Sequence, residues 1–508
     1  MHEPTVRAET VTGVLEGFTR NGVHRWRSIP YARPPLGPLR FQEPQPAPPW
    51  QGVRRCYEFS NCAPQHRRYA MIGISKYQPS GEDCLTLNVV APEAPRSGSL
   101  PVMVFVHGGA YMMGSSALPL YDGAALARRD CVYVSVNYRL GALGCLDLSS
   151  LSTPGFAFAS NLFLRDLVLA LHWVRANIAA FGGDPECVTV VGVSAGAQAV
   201  TTLLTVPAAR GLFRRAIAQS PPAGMARSQD AATELATQFA KLLGAGPQDA
   251  GDLLMRASPS ELIGAQDALI AQCVREKRGF PLGPTYGDDY LPLDPIAAMR
   301  RGRAHQLPLV VGTNADEGRL FTRFLKLVPT TEAMVEGIFA GKDPQVHQRI
   351  TAAYPDYPKT SACIRLGGDF AFSSAAWQIA EAHGSQTPTY VYRYDYAPRT
   401  LRWSGLGATH GTELFAVFDA YRSKFGRLLT VGADRRRTLH LSDEIQQRWT
   451  CFAGTGLPGT NWPTYTKDDR SVMVFDRICR CESDPHSQRR IAWDGFWDEM
   501  SGISTHIR

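Results

Sequence analysis

Long apolar runs are missing from this chain. No stretch approaches the 18 or so consecutive apolar residues that a membrane-spanning helix needs, and residues 1–15 lack the apolar segment of an export signal. We therefore expect no membrane span and a cytoplasmic location. Charged residues are also scarce, at 19% against roughly 25% in an average soluble protein, and this composition argues against disordered and fibrous classes.

Cysteines are few as well, and the net charge is small for a chain of this length. The eleven cysteines are odd in number, sparse over 508 residues and without a C-x-x-C pair. A disulfide scaffold and a structural zinc site are therefore not expected, and no metal or organic cofactor is predicted. The net charge of +7 is scattered, so nucleic acid is not an expected partner, and the basic clusters at 300–301 and 435–437 are interpreted as solvated helix faces.

The composition of the chain indicates a globular α/β protein. Hydrophobic residues make up 44%, and 46 glycines with 36 prolines favour alternating strands and helices over a helical bundle. The first hundred residues are rich in turn formers. Ile29-Pro30-Tyr31 and Arg33-Pro34-Pro35-Leu36-Gly37 predict that no long element forms there and that this part lies across a surface.

Continuous apolar runs predict strands that are buried on both faces of a sheet. Such runs occupy residues 101–106, 131–136, 187–191, 216–219, 307–312 and 390–394, and a run at 472–475 is predicted to be an edge strand. Residues 162–178 have helical spacing between two of these strands, which implies a parallel strand-helix-strand crossover. We expect one large, mostly parallel sheet flanked by helices. We expect a single domain over 1–508, with helical insertions at about 225–305 and 325–385 that cap one end of the sheet.

Two glycine-rich turns follow predicted strands. In Gly192-Val193-Ser194-Ala195-Gly196, a tight turn between a strand and a helix exposes the serine oxygen, and the glycines avoid collisions with neighbouring backbone. His107-Gly108-Gly109-Ala110 follows the strand at 101–106, and its small residues let backbone N–H groups approach a developing negative charge. Together the turns predict a serine nucleophile with an oxyanion hole.

The chain resembles the type-B carboxylesterases of the cholinesterase-like α/β-hydrolases, and within them it is most similar to the bacterial para-nitrobenzyl esterases. The likeness runs almost end to end. The motifs that carry it, besides the two turns, are Ser28-Ile29-Pro30-Tyr31-Ala32, Glu82-Asp83-Cys84-Leu85-Thr86-Leu87-Asn88-Val89, Asn137-Tyr138-Arg139-Leu140-Gly141, Phe181-Gly182-Gly183-Asp184-Pro185 and Asn461-Trp462-Pro463-Thr464-Tyr465.

Hydrolysis on this fold needs an acid and then a histidine after the serine in the chain. His410, in Thr409-His410-Gly411-Thr412-Glu413-Leu414, resembles the family's catalytic histidine segment, whereas the other downstream histidines lack that setting. From the residues alone, either Asp316 or Glu317 could orient the imidazole. The resemblance of Asn314-Ala315-Asp316-Glu317-Gly318 to the family's Asp-Glu-Gly segment favours Glu317 and implies a structural role for Asp316.

The predicted reaction is acyl transfer from a small-molecule ester, with Ser194 as nucleophile, His410 as base and Glu317 as its partner. The elbow geometry assigns the Ala195 N–H to the oxyanion hole, and the resemblance adds the N–H groups of Gly109 and Ala110. Two alternatives stay open: an amidase or peptidase on the same fold, and a non-catalytic cholinesterase-like binding protein. We expect a monomer or a small homo-oligomer.

The chain departs from the family at positions that bear on specificity. Val193 stands where most relatives have glutamate before the serine, and the segment from Cys62 to Cys84 holds no tryptophan. These departures predict neutral esters rather than choline esters as substrates. The family often links two early cysteines; Cys84 matches the second, and the first could be Cys62 or Cys56.

Overall fold

The structure is a computed structural model that describes residues 3–73, 75–96, 98–246, 249–324, 327–431 and 435–497. Within these ranges, thirteen strands form one sheet. Their bounds are β1 Thr5–Thr10, β2 Gly13–Arg20, β3 Val23–Pro30, β4 Val53–Arg55, β5 Thr86–Pro92, β6 Leu100–Val106, β7 Val132–Val136, β8 Gly183–Val193, β9 Arg215–Gln219, β10 Leu309–Asn314, β11 Thr389–Tyr394, β12 Ser471–Phe475 and β13 Arg480–Ser483.

The sheet is mostly parallel at its centre. Its strands lie in the order β1-β2-β3-β5-β7-β6-β8-β9-β10-β11-β12-β13, and β4 pairs with β2. From β7 to β12 along this order, every neighbouring pair is parallel. The pairs at the two ends of the order are antiparallel, whereas β4 pairs with β2 in the parallel direction. The apolar runs predicted as buried strands all belong to this parallel centre.

Both faces of the central strands are covered, as β6 shows. Val102, Val104 and Val106 pack into one hydrophobic cluster, while Met103 and Phe105 pack into another. Successive side chains of a strand point to opposite faces, so this division places a core on each side of the sheet. Burial on both faces explains why the parallel strands read as continuous apolar runs.

Helices fill the connections between the strands of the described ranges. Their bounds are α1 Ala124–Ala127, α2 Leu162–Asn177, α3 Ala195–Leu203, α4 Gln229–Leu243, α5 Ala250–Arg256, α6 Pro259–Arg275, α7 Pro295–Arg300, α8 Glu332–Phe339, α9 Pro344–Ala352, α10 Thr360–Gly368, α11 Ser374–Gly384, α12 Arg399–Trp403, α13 Leu414–Val417, α14 Lys424–Leu429, α15 Arg435–Thr455 and α16 Ser487–Trp493. The π-helical turn Asp369–Ser373 joins α10 to α11. Helices α4 to α7 lie between β9 and β10, and α8 to α11 lie between β10 and β11.

The prediction for the first hundred residues was wrong. They contribute β1, β2, β3, β4 and β5 to the main sheet, and every residue of β5 is buried. Pro30 ends β3 instead of preventing it, because a proline at a strand end removes no needed ladder bond.

The prediction of an edge strand at 472–475 was also wrong. All residues of β12 are buried, and β13 pairs with it on the outer side. The four residues of β13, Arg480–Ser483, are mostly exposed and lack the apolar pattern that marks a strand in the sequence.

None of the helices in the described ranges combines the length and the apolar character that crossing a bilayer requires. All eleven cysteines fall inside those ranges and are free thiols, with Cys56, Cys62 and Cys84 buried. The structure therefore pairs neither Cys56 nor Cys62 with Cys84.

Candidate active site

The turn at Ser194 leaves no room for side chains at Gly192 and Gly196, two residues before and after it. Strand β8 ends at Val193 and α3 begins at Ala195, so Ser194 turns the chain alone, with φ 56° and ψ −128°. A Cβ at Gly192 would lie 2.2 Å from the Gly196 carbonyl oxygen, and one at Gly196 would lie 2.2 Å from the Val106 carbonyl oxygen. Ser194 is only half-buried, so the strained turn presents its hydroxyl at the end of the strand.

The carboxyl ends of four parallel strands meet beside this turn. The Ser194 N–H donates to the Gln219 carbonyl at 2.8 Å, which joins the end of β8 to that of β9. The Ser220 N–H donates to Gly312 in β10 at 2.8 Å, and the Ala315 N–H donates to Tyr394 in β11 at 3.0 Å. Side chains that follow these strands therefore come from distant parts of the chain to one edge of the sheet.

Glu317 and His410 are in direct contact. Glu317 Oε2 lies 2.5 Å from His410 Nδ1, and Glu317 is buried with 3% of its surface exposed. Its other oxygen, Oε1, accepts hydrogen bonds from the Ser220 hydroxyl at 2.6 Å and from the Asn314 N–H at 2.7 Å. Because both carboxylate oxygens are held, the carboxylate fixes the orientation of the imidazole ring.

The pKa of His410 lies above its usual value. Burial opposes charging of the ring, but the charge of Glu317, the hydrogen bond to it and the charge of Glu413 outweigh burial. Two aromatic rings also hold the imidazole: Phe372 stacks on it with ring centroids 4.3 Å apart, and Phe321 lies at 5.5 Å.

The structure does not join Ser194 to His410 by a hydrogen bond. Within the described ranges, the only hydrogen-bond partner of the ring is Glu317, and the Ser194 hydroxyl has none. Catalytic hydrogen bonds are often long in free enzymes and tighten when substrate binds.

Asp316 points away from the imidazole. Its Oδ2 accepts the Ala408 N–H at 3.2 Å, and its Oδ1 lies 2.9 Å from Arg319 Nε. The Asp316 N–H in turn donates to the Ala408 carbonyl at 2.9 Å. Asp316 thus ties the Glu317 segment to the His410 segment.

The three N–H groups predicted for the oxyanion hole are unused. In the part of the chain that the structure describes, the N–H groups of Gly109, Ala110 and Ala195 donate no hydrogen bond. Gly109 and Ala110 have φ values of 120° and 50°, so their turn departs from extended backbone. A Cβ at Gly108 would lie 3.0 Å from the Ser194 Cβ, which places this turn against the serine. Unused donors beside a nucleophile are what an oxyanion hole requires.

Sequence reasoning missed Ser220, which is fully buried and donates to Glu317. A signal was available, because Ser220 directly follows the buried strand β9, as Ser194 follows β8. Polar residues at the carboxyl ends of parallel strands are candidates for a site in such a sheet.

Glu413 was missed as well, although it lies only three residues after His410. It is buried, and Gln219 Nε2 donates to its Oε1 at 3.3 Å. Its Oε2 has no hydrogen-bond partner among the described residues. Burial first, and then the nearby charge of Glu317, raises the pKa of Glu413 to about 7.

The segment between Cys62 and Cys84 lies against the glycine-rich turn. Gln65 donates to the Gly114 carbonyl at 2.8 Å and accepts the Gly114 N–H at 2.9 Å. In this segment the Arg67 guanidinium lies 4.6 Å from the centre of the Tyr77 ring, and that of Arg68 lies 4.7 Å from the centre of the Tyr69 ring. The chain's own cations thus occupy one face of both tyrosines.

Metal ligands do not come together in the described ranges, since no three His, Cys, Asp or Glu side chains are grouped as a metal ion would need. That the chain needs no metal or organic cofactor stays a prediction.

Replacing Glu413 tests its raised pKa through stability. Because that pKa rises from 4.5 to about 7 on folding, the folded protein holds a proton that the unfolded chain releases. The group therefore lowers the free energy of unfolding as the pH rises through this window. Glu413→Gln lacks this titration, so its stability should not show this loss. The free energy of unfolding of Glu413→Gln minus that of the wild type should therefore rise by up to about 3 kcal/mol from pH 4.5 to pH 8.

Urea unfolding followed by tryptophan fluorescence at both pH values measures this change. The control is Glu9→Gln on the exposed surface of β1, which should follow wild type. Parallel pH dependence of Glu413→Gln and wild type would contradict the assignment.

Known proteins share this architecture. Residues 2–489 match the carboxylesterase family. The para-nitrobenzyl esterase of Bacillus subtilis (strain 168) is 36% identical over 495 residues, which cover 95% of this chain and 97% of that protein. The fumonisin B1 esterase of Sphingopyxis macrogoltabida is 35% identical over 489 residues, covering 93% of this chain and 87% of that one.

A solved structure, that of a thermophilic PNB esterase, superposes with a TM-score of 0.85 at 34% identity, and covers 96% of this chain and 99% of that one. The α/β-hydrolase fold and the carboxylic ester hydrolase activity expected from the motifs are thereby confirmed. The chain belongs to the carboxylesterase family.

Proposed function

We propose that this esterase works through an acyl-enzyme on Ser194, with His410 as the base and Glu317 as the group that orients it. The observation that carries the proposal is the 2.5 Å contact between Glu317 Oε2 and His410 Nδ1, at strand ends adjacent to the serine turn. With Nδ1 bound to the carboxylate, the other ring nitrogen is left to take the serine proton. The raised pKa of His410 suits a group that must accept that proton.

Proton and charge move in two steps. Ser194 Oγ attacks the ester carbonyl as its proton passes to His410, and the imidazolium then gives the proton to the leaving alcohol. The N–H groups of Gly109, Ala110 and Ala195 hold the oxyanion of each tetrahedral intermediate. Water then repeats the sequence on the acyl-enzyme and releases the acid.

We further propose that the substrates are neutral small-molecule esters with short to medium acyl chains. The relatives, a para-nitrobenzyl esterase and a fumonisin B1 esterase, support small organic esters as substrates. Val193 is buried in an apolar cluster, so the position before the serine carries no carboxylate that could attract a cation.

The remaining expectations stay predictions. A single domain over 1–508 with insertions at about 225–305 and 325–385 is supported by the family match over residues 2–489. The free state of all eleven cysteines fits the cytoplasmic location expected from the sequence. A monomer or a small homo-oligomer remains the expected assembly.

The first test replaces the nucleophile. Ser194→Ala should lower kcat for para-nitrophenyl butyrate by about 10⁵- to 10⁶-fold and should fold normally, because only one hydroxyl without a partner is removed. An organophosphonate probe followed by peptide mass spectrometry should label Ser194 in the wild type.

The matched control is Ser220→Ala, which removes a buried serine next to the same site but should leave probe labelling in place. Labelling that persists in Ser194→Ala would overturn the assignment of the nucleophile. Running matched amides beside the esters tests the amidase alternative, and turnover of any of them by the wild type excludes a non-catalytic binding protein.

The two neighbouring carboxylates provide a second test. Glu317→Gln should lower kcat on the order of 10³-fold or more, because an amide misorients His410. Asp316→Asn should mainly lower thermal stability, because this side chain holds Ala408 and Arg319. The comparison requires kcat and the melting temperature of both variants, and a larger loss of kcat in Asp316→Asn would show that the wrong carboxylate was chosen.

The third test concerns the alcohol side of the substrate. We predict that kcat/KM for butyrylcholine is about 2- to 30-fold lower than for the neutral isostere 3,3-dimethylbutyl butyrate, the range expected from a lost cation–π contact. The double variant Arg67→Gln, Arg68→Gln should reduce the difference in kcat/KM between the two substrates, because it removes the guanidiniums that cover Tyr77 and Tyr69. Equal or better turnover of the cation by the wild type would contradict the proposal.

A further inference from the structure

A cavity of about 510 Å³ contains none of the proposed catalytic residues in its lining. Five separate parts of the chain build it: the residue after β10, the residue after α9, helix α10, the end of strand β11 and the segment where α16 begins. Its charged lining residues are Arg365, Arg393, Arg489 and Asp395, and His486 lies among them. We propose that this cavity binds a small oxyanion of more than one charge, such as a phosphate monoester or a dicarboxylate.

Arg393 and Asp395 satisfy each other and form one wall of the cavity. Arg393 Nε lies 2.6 Å from Asp395 Oδ1, and its Nη2 lies 2.5 Å from Oδ2. The Glu482 carboxylate is a further 3.8 Å neighbour of this guanidinium. Both oxygens of the one acidic lining residue are therefore engaged by Arg393, so Asp395 has little charge left to repel an anion.

The other two arginines keep donors for a ligand. Arg489 uses Nη1 to reach Asp369 Oδ2 at 2.7 Å, while its Nε and Nη2 have no partner in the described ranges. Arg365 of α10 forms no hydrogen bond or ion pair in those ranges and lines the same cavity. Arg365 has no counter-ion in the described ranges, and Arg489 has unused donors. The lining of the cavity therefore carries more positive than negative charge. A planar guanidinium matches the oxygens of a carboxylate or a phosphate.

His486 supplies a third donor. Its Nε2 accepts a hydrogen bond from Arg393 Nη1 at 2.8 Å, so the neutral ring carries its proton on Nδ1, which has no partner in the described ranges. Burial, and then the charges of Arg489 and Arg393, lowers the pKa of His486 to about 4, so the ring is neutral near pH 7. The residue also has φ 106°, which is rare outside glycine.

The size of the cavity indicates more than a bare ion. Its volume of about 510 Å³ falls within the roughly 300–1,000 Å³ typical of small-molecule sites. Two arginine forks and one imidazole N–H can hold the anionic group, and the remaining space can take an organic portion of the ligand.

Direct binding to the full chain tests the proposal without reference to catalysis. Isothermal titration at pH 7 with inorganic phosphate, and separately with malonate, should show saturable binding of at least one anion. The anion with the lower Kd indicates whether the ligand is a phosphate or a dicarboxylate. Arg365→Gln should raise the Kd about tenfold, because one charge-assisted contact is lost. Arg365 is exposed, and its side chain forms no hydrogen bond or ion pair in the described ranges, so the variant should keep the melting temperature of the wild type.

The matched control is Arg275→Gln, an exposed arginine at the end of α6 that does not line the cavity. It should bind the anion as the wild type does. Absence of saturable binding of both anions, an unchanged Kd in Arg365→Gln, or equal weakening in Arg275→Gln would each overturn the proposal.

Discussion

The turn at Ser194 is the constraint on which the rest of the site depends. Because side chains do not fit at Gly192 and Gly196, α3 lies directly against the end of β6, where a Cβ at Gly196 would be 2.6 Å from the His107 carbonyl oxygen. The loop after β6 is pressed onto the same turn, since a Cβ at Gly108 would be 2.6 Å from the Val193 carbonyl oxygen. Close backbone packing therefore holds Ser194 against the turn at 107–110.

Parallel register brings Glu317 and His410 to the same edge of the sheet. Neighbouring strands β8, β9, β10 and β11 end at this edge, so Ser220, Glu317 and His410 follow strands that are already aligned with the serine turn. Ser220 and Glu317 follow their strands closely, whereas α12 lies between β11 and His410. The wide sequence separation, for example 93 residues between Glu317 and His410, is bridged by the sheet.

Two buried carboxylates, Glu317 and Glu413, lie in this region and differ in their hydrogen-bond partners. Glu317 has hydrogen bonds on both oxygens, whereas Glu413 has one oxygen without a partner in the described ranges. Burial is the main cause of the raised pKa of Glu413; the charge of Glu317 raises it further, whereas the charge of His410 lowers it. Glu413 therefore retains its proton to higher pH than an exposed glutamate does.

The sequence predicted the parts of the fold that are buried on both sides. Continuous apolar runs locate the parallel strands, because both faces of β6 and its neighbours face a core. Strands β1, β2 and β3 were missed because they mix buried residues with partly or fully exposed ones among turn formers, whereas β5 was missed although all its residues are buried. Ser220 and Glu413 were missed because their contacts, to Glu317 and to Gln219, join residues that are far apart in the sequence.

In the proposed function, substrate preference depends on different residues from those that carry out the chemistry. Close backbone packing sets the serine turn, whereas Tyr69 and Tyr77 belong to a separate segment that precedes β5. In that segment two arginine guanidiniums cover the aromatic faces. A cationic substrate would have to displace a guanidinium that is already in place, whereas a neutral ester meets no such competition. Selection against cations can therefore arise through local charge alone while the catalytic geometry stays the same.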